Sequence, residues 1–103
     1  MDDVRIFTGT LIADLVLPGA RTLKERRAPL QALIRKLRNH DLAVAQVGPA
    51  ELTQRAFVAV SAVSGSAALL DDLLAEAERL LFASDFEVGE LRRLDGVESF
   101  PSG

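Results

Sequence analysis

The sequence predicts an α+β sandwich of order βαββαβ, a four-stranded antiparallel sheet with both helices on one face. Three observations carry this reading. Period-two alternation marks strand-like segments, apolar stripes at helical spacing mark two segments between them, and 103 residues hold one core rather than two.

Val4 to Leu17 alternates, with Phe7, Leu11, Ala13, Leu15 and Leu17 on one face and Thr8, Thr10, Ile12, Asp14 and Val16 on the other. Such patterning reads as a long strand, and Pro18-Gly19 ends it. Thr22 opens a helix, because Thr22 and Glu25 have the T-x-x-E spacing of a capping box. Leu23, Leu30, Leu33, Ile34 and Leu37 then fall on one side, and Asn39 is the expected end. Pro29 lacks the N–H that would bond the Glu25 carbonyl, so a kink or a break into two pieces is expected there. Leu42 to Val47 reads as a short strand and Gly48 to Arg55 as a loop. Ala56 to Val63 forms the third strand, with Val58, Val60 and Ala62 opposite Phe57, Ala59, Ser61 and Val63. Ser66 caps a second helix, Ala67 to Ala83, whose stripe is Leu69, Leu70, Leu73, Leu74, Ala77, Leu80 and Leu81. Phe86 to Leu94 reads as the fourth strand.

Right-handed crossovers then place both helices on one sheet face, giving a ferredoxin-like βαββαβ sandwich with the first and third strands central. Residues 1–95 are expected to form this single domain and residues 96–103 a flexible tail. The uncovered sheet face would display Thr8, Thr10, Ile12, Val16, Phe57, Ala59, Ser61 and Val63, an apolar surface that suggests a partner.

Charge is distributed unevenly. Seven of the chain's 12 Lys and Arg residues lie between Arg21 and Arg38 against one acid, Glu25, although the net charge is −3. At about 100° per residue, Lys24, Arg27, Gln31, Arg35 and Arg38 form one stripe beside the apolar face. A row of cations at helical spacing can follow a phosphate backbone. The alternative is that these cations pair with Asp71, Asp72, Glu76 and Glu78 of the second helix. The loop Leu17 to Thr22, leading into a helix N-terminus beside Arg21, is a weaker candidate for holding an anion.

Other chemistry is thin. With no Cys, disulfides and thiolate metal sites are excluded, and no metal or cofactor is expected. His40, the single His, is expected to cap carbonyls at a helix end. Acylphosphatases share this length and element order, but they need an Asn on the third strand, and the single Asn here is Asn39. No Ser, His and acid set suggests nucleophilic catalysis, so no catalytic residue is expected. No stretch reaches the roughly 20 apolar residues of a membrane span. The acidic start MDDVRIF lacks the basic region of a signal peptide. A cytoplasmic, non-membrane protein is therefore expected.

Two segments resemble a known bacterial family. Leu17-Pro18-Gly19-Ala20-Arg21-Thr22-Leu23-Lys24-Glu25-Arg26-Arg27 is similar to the "PGARSLKEKR" signature of the YlxP-like family, a small domain of unknown function. Val47 to Ala56, reading VGPAELTQRA, is similar to that family's "VGxxDxWQRA". Thr53 stands in place of the usual Trp and Glu51 in place of the usual Asp, while Gln54 and Arg55 remain. The resemblance implies a ferredoxin-like fold. Because the family's genes lie beside those for ribosome maturation and translation initiation factors, it also implies a role near the small ribosomal subunit.

These readings converge on a non-enzymatic accessory factor that binds ribosomal RNA or an assembling ribosomal particle. Arg21, Lys24, Arg27, Arg35 and Arg38 would contact phosphates, with Arg26, Lys36 and Arg55 in support. The alternative is a homo-oligomeric interaction or small-ligand regulatory module, a homodimer through Thr8, Thr10, Ile12, Val16, Phe57, Ala59 and Val63 of the open face.

Overall fold

A computed structural model of the chain describes residues 3–102. The elements run β1 (Val4–Val16), α1 (Leu23–Arg38), β2 (Ala43–Val47), β3 (Arg55–Ser64), α2 (Ala67–Phe82) and β4 (Glu87–Phe100). The sheet order is β2-β3-β1-β4, with every neighbouring pair antiparallel. This is the expected βαββαβ ferredoxin-like sandwich, with the first and third strands central.

The alternation in β1 and β3 has the expected register. Leu11, Ala13, Leu15, Ala56, Val58, Val60 and Ala62 are buried beneath the helices. They pack against Leu30, Leu33 and Leu37 of α1 and Leu70, Leu74, Ala77, Leu80 and Leu81 of α2. Gly9 lets α2 approach β1 closely, since a Cβ at that position would stand 2.5 Å from the Leu74 Cδ1.

Both helix starts are capped by hydroxyls. Thr22 Oγ1 accepts from the Glu25 N–H at 3.1 Å, and Ser66 Oγ accepts from the Leu69 N–H at 3.3 Å. The Glu25 carboxylate accepts from the N–H of Arg21 at 3.0 Å, one residue ahead of the cap. That carboxylate and the Thr22 hydroxyl therefore already serve two N–H groups, those of Arg21 and Glu25, at the helix start where an external anion was a candidate.

Two expectations are corrected. Of the kink or break expected at Pro29, the break does not form, since α1 runs as one helix from Leu23 to Arg38. Proline's fixed φ is compatible with helix, so the segment stays helical although the bond to the Glu25 carbonyl is lost. Nor do residues 96–100 form a loose tail, because β4 continues to Phe100 and pairs along β1 as far as Val4↔Phe100. Asp95-Gly96 resembles a turn, yet Gly96 lies in a strand opposite Thr8. A Cβ on Gly96 would stand 2.6 Å from the Thr8 Oγ1, so cross-strand crowding favours glycine there. Ser102 follows the strand, and Gly103 lies outside the described residues.

The long β1–β4 pairing also shapes the molecule. β3 pairs with β1 from Phe7 onward, so Val4–Ile6 is bonded to β4 alone. The result is a two-stranded arm, and the molecule measures 58 × 22 × 20 Å. Its radius of gyration is 15.7 Å, above the roughly 13 Å of a compact domain this size.

Candidate nucleic-acid interface

The α1 apolar stripe contains one charged member. Leu23, Arg26, Leu30, Leu33 and Leu37 recur at helical spacing, and Arg26 is 5% exposed. Its Nη1 donates to the carbonyls of Leu52 at 2.8 Å and Arg55 at 2.6 Å, and its Nη2 to that of Ala50 at 3.1 Å. Carbonyls are good partners for a buried guanidinium, because each otherwise loses water without replacement. Arg26 thereby clamps the segment between β2 and β3 onto the first half of α1. It is not available to phosphates, which corrects its expected supporting role. The signal was legible in principle, since an Arg on a core stripe needs acceptors brought by another element.

Beside this clamp runs an open groove of about 700 Å³. Arg27, Gln31, Arg35 and Arg38 line it from α1, and Gln46 and Ala50 form part of the other wall. Arg38 Nη2 donates to the Val44 carbonyl at 3.2 Å, which holds its guanidinium over β2. Arg21 and Lys24 are exposed at the α1 start and extend the same polarity toward the Pro18-Gly19 turn. Leu23 and Ile34 add an apolar lining that charge counting did not point to. From Arg27 to Arg38 the helix advances roughly 16 Å at about 1.5 Å per residue.

Two other expected contributors lie elsewhere. Lys36 lines a separate cleft with Pro29, Ala32, Leu80 and Asp85, between α1 and the end of α2. Arg55 opens β3 on the uncovered sheet face, where its Nε and Nη2 bond the Asp14 carboxylate at 3.1 and 2.7 Å. Its guanidinium carbon stands 5.2 Å from the Phe57 ring centroid, within cation–π range. The hydrogen bond that Arg55 donates to the Asp14 carboxylate, reinforced by the charge of Asp14, holds the Arg55 pKa above the ordinary value. Arg55 therefore ties β1 to β3 and does not join the basic surface.

Pairing between α1 cations and α2 acids is not what forms. Asp71 of α2 bonds Arg93 of β4 at 2.6 Å. Glu76 bonds Arg79 within α2 and stands 3.3 Å from His40 Nε2. His40 Nδ1 lies 2.9 Å from the Lys36 carbonyl, the helix-end capping expected of it. Among the described residues, Arg21, Lys24, Arg27, Arg35, Lys36 and Arg38 make no ion pair.

The open face carries the residues expected there. Ile12, Val16, Phe57 and Ala59 are half-buried, Thr8 is exposed, and Val63 is 64% exposed. Thr10 and Ser61 hydroxyls meet at 2.6 Å across the centre of that face.

The family model for a protein of unknown function, DUF503, matches residues 8–93. The chain belongs to the DUF503 family. That match spans all of α1, the loop clamped by Arg26, and both segments singled out by their signatures. In this DUF503 domain the two segments meet, since Arg26 of the first binds the carbonyls of Ala50, Leu52 and Arg55 in the second. No curated protein matches the chain. Among the described residues no helix is long and apolar enough to cross a membrane.

Proposed function

We propose that this DUF503 domain, read as YlxP-like, is a non-enzymatic accessory factor that binds ribosomal RNA or an assembling small ribosomal subunit through α1. The observation that carries the reading is the set of α1 cations without ion-pair partners among the described residues, three of which line one groove. Unpaired guanidinium groups at helical spacing release counterions when they meet phosphates, giving affinity with little base specificity. Lys24, Arg27, Arg35 and Arg38 carry the contact, and Arg21 adds to it at the helix start. Arg26 acts only by holding the groove's far wall.

The test is a titration of structured ribosomal RNA fragments at several salt concentrations. Four neutralised phosphates predict a slope of log affinity against log salt of roughly −3 to −4. Reversing Lys24, Arg27, Arg35 and Arg38 to Glu abolishes binding. An absence of binding at low salt, or binding indifferent to the reversal, defeats the proposal.

A second reading rests on the open face, where Val63 is 64% exposed opposite Thr8 and shares that face with Ile12 and Phe57. In that reading two copies pack face to face and the domain is an interaction or regulatory module. Val63→Lys then yields a monomer in sedimentation.

A further inference from the structure

Among the described residues, the outer edge of β4 has no strand beside it. Order β2-β3-β1-β4 leaves β4 at the sheet's end, and this strand is 14 residues long. A long free edge is a template for another strand, and natural proteins usually blunt such an edge. Here the blunting is local. The register shift between Ala13 and Leu15 places Gly89 and Glu90 together opposite Asp14, a bulge near the start of β4. Beyond it, Leu91–Val97 pairs regularly with β1.

That segment, LRRLDGV, is self-complementary about Leu94. Leu94 pairs with Thr10 on the uncovered face and is 59% exposed. Arg93 reaches Asp71 on α2 at 2.6 Å, so it lies on the helix side, and its Nε bonds Asp95 on the same side at 2.8 Å. Val97 pairs with Phe7 and is 61% exposed.

We propose that a second copy of this chain pairs with it edge to edge, β4 antiparallel to β4, about a two-fold axis through Leu94. The two sheets then form one continuous eight-stranded sheet. In this register Leu94 meets the partner's Leu94, Arg93 meets the partner's Asp95, Asp95 meets the partner's Arg93, and Leu91 meets the partner's Val97. Opposite charges and apolar pairs directly across a ladder stabilise it, and an isologous two-fold doubles each contact. Registers centred one residue away set Arg93 against Arg93 or Asp95 against Asp95, which like-charge repulsion disfavours. The ladder stops where Glu90 would face the partner's Glu98, next to the bulge. Both α1 grooves stay open, because α1 packs over the opposite end of the sheet beside β2.

Charge-swapped variants test the register. Sedimentation equilibrium is run on the wild type up to hundreds of micromolar, with folding checked by circular dichroism. The wild type forms a reversible dimer. Arg93→Asp and Asp95→Lys each weaken it about tenfold or more, since each homodimer then holds two like-charge pairs. Mixing the two variants restores a heterodimer, where every such pair is opposite in sign. Val63→Lys, on the open face near the end of β3, dimerises as the wild type does. Leu94→Cys, a lone thiol in a chain without cysteine, forms an intermolecular disulfide on oxidation. Opposed Cα atoms across a ladder lie about 4.5–5.5 Å apart, within disulfide reach, whereas face-packed sheets lie about 10 Å apart. The proposal is overturned by a wild type that stays monomeric, by mixtures that do not restore the dimer, by failure of the Leu94→Cys cross-link, or by a dimer that Val63→Lys dissociates and Asp95→Lys does not.

Discussion

The helices α1 and α2 are both 16 residues long, both start at a hydroxyl cap and both lie on the same sheet face, yet they present opposite surfaces. α2 buries five apolar residues, Leu70, Leu74, Ala77, Leu80 and Leu81, and two of its acids are engaged at once by Arg79, Arg93 and His40. α1 buries three leucines and one arginine, and its exposed cations make no ion pair among the described residues. The difference separates a helix that closes the core from one that both closes it and displays a charged surface. In α1 the charges fall into two kinds. Arg26 is committed to backbone carbonyls, while Arg27, its neighbour, faces the groove.

The largest effect that can break this comparison is expected in α2. Leu74→Ala should destabilise the fold by about 2–5 kcal/mol, the range for emptying a buried leucine site, because Leu74 is 1% exposed and packs over Gly9. Chemical denaturation measures it, and a loss under about 1 kcal/mol would mean that α2 is not the anchoring helix.

Arg26→Leu separates the two kinds of α1 charge. It should lower stability by about 1–3 kcal/mol, because three carbonyls lose their donor. Arg27→Leu should change stability by no more than about 0.5 kcal/mol, yet weaken the RNA binding proposed above. Equal stability effects of the two would erase the distinction between clamp and displayed cation.

The smallest expected effect concerns the pairing on α2. The hydrogen bond from Arg79 holds the Glu76 carboxyl below its ordinary pKa against the opposing effect of desolvation, with the charges of Arg79 and His40 adding to it. A lowered folded-state value contributes stability above the ordinary carboxylate range, and that contribution is lost as pH falls through the folded value. Arg79→Ala should therefore raise the Glu76 titration midpoint seen by NMR and shrink the stability lost on acidification. An unmoved midpoint would show that the pair does not persist in solution.

The element order, the faces of β1 and β3, both caps and the basic stripe were legible because each follows from local spacing. Period-two and helical repeats are properties of neighbouring residues, and so are hydroxyl caps. The core stripe marks Arg26 as a buried charge, but the partners of individual charges were not legible, because they lie far off in sequence. Arg26 meets carbonyls 24 to 29 residues away, and Arg55 meets Asp14 at a separation of 41. Nothing within either segment separates Arg26 from Arg27 except the stripe on which each falls.

The sequence by itself determined an α+β fold and a helix dense in positive charge, since composition and periodicity are written residue by residue. Only the tertiary structure decided which of the chain's charges are committed to partners and how far β4 extends. The choice was made where chain segments meet: at the loop that Arg26 clamps, at the Asp14 carboxylate that holds Arg55, and along β1, whose length keeps β4 ordered to Phe100. Buried carbonyls and long-range strand pairing impose those outcomes, because polar groups removed from water must find partners wherever the fold brings them.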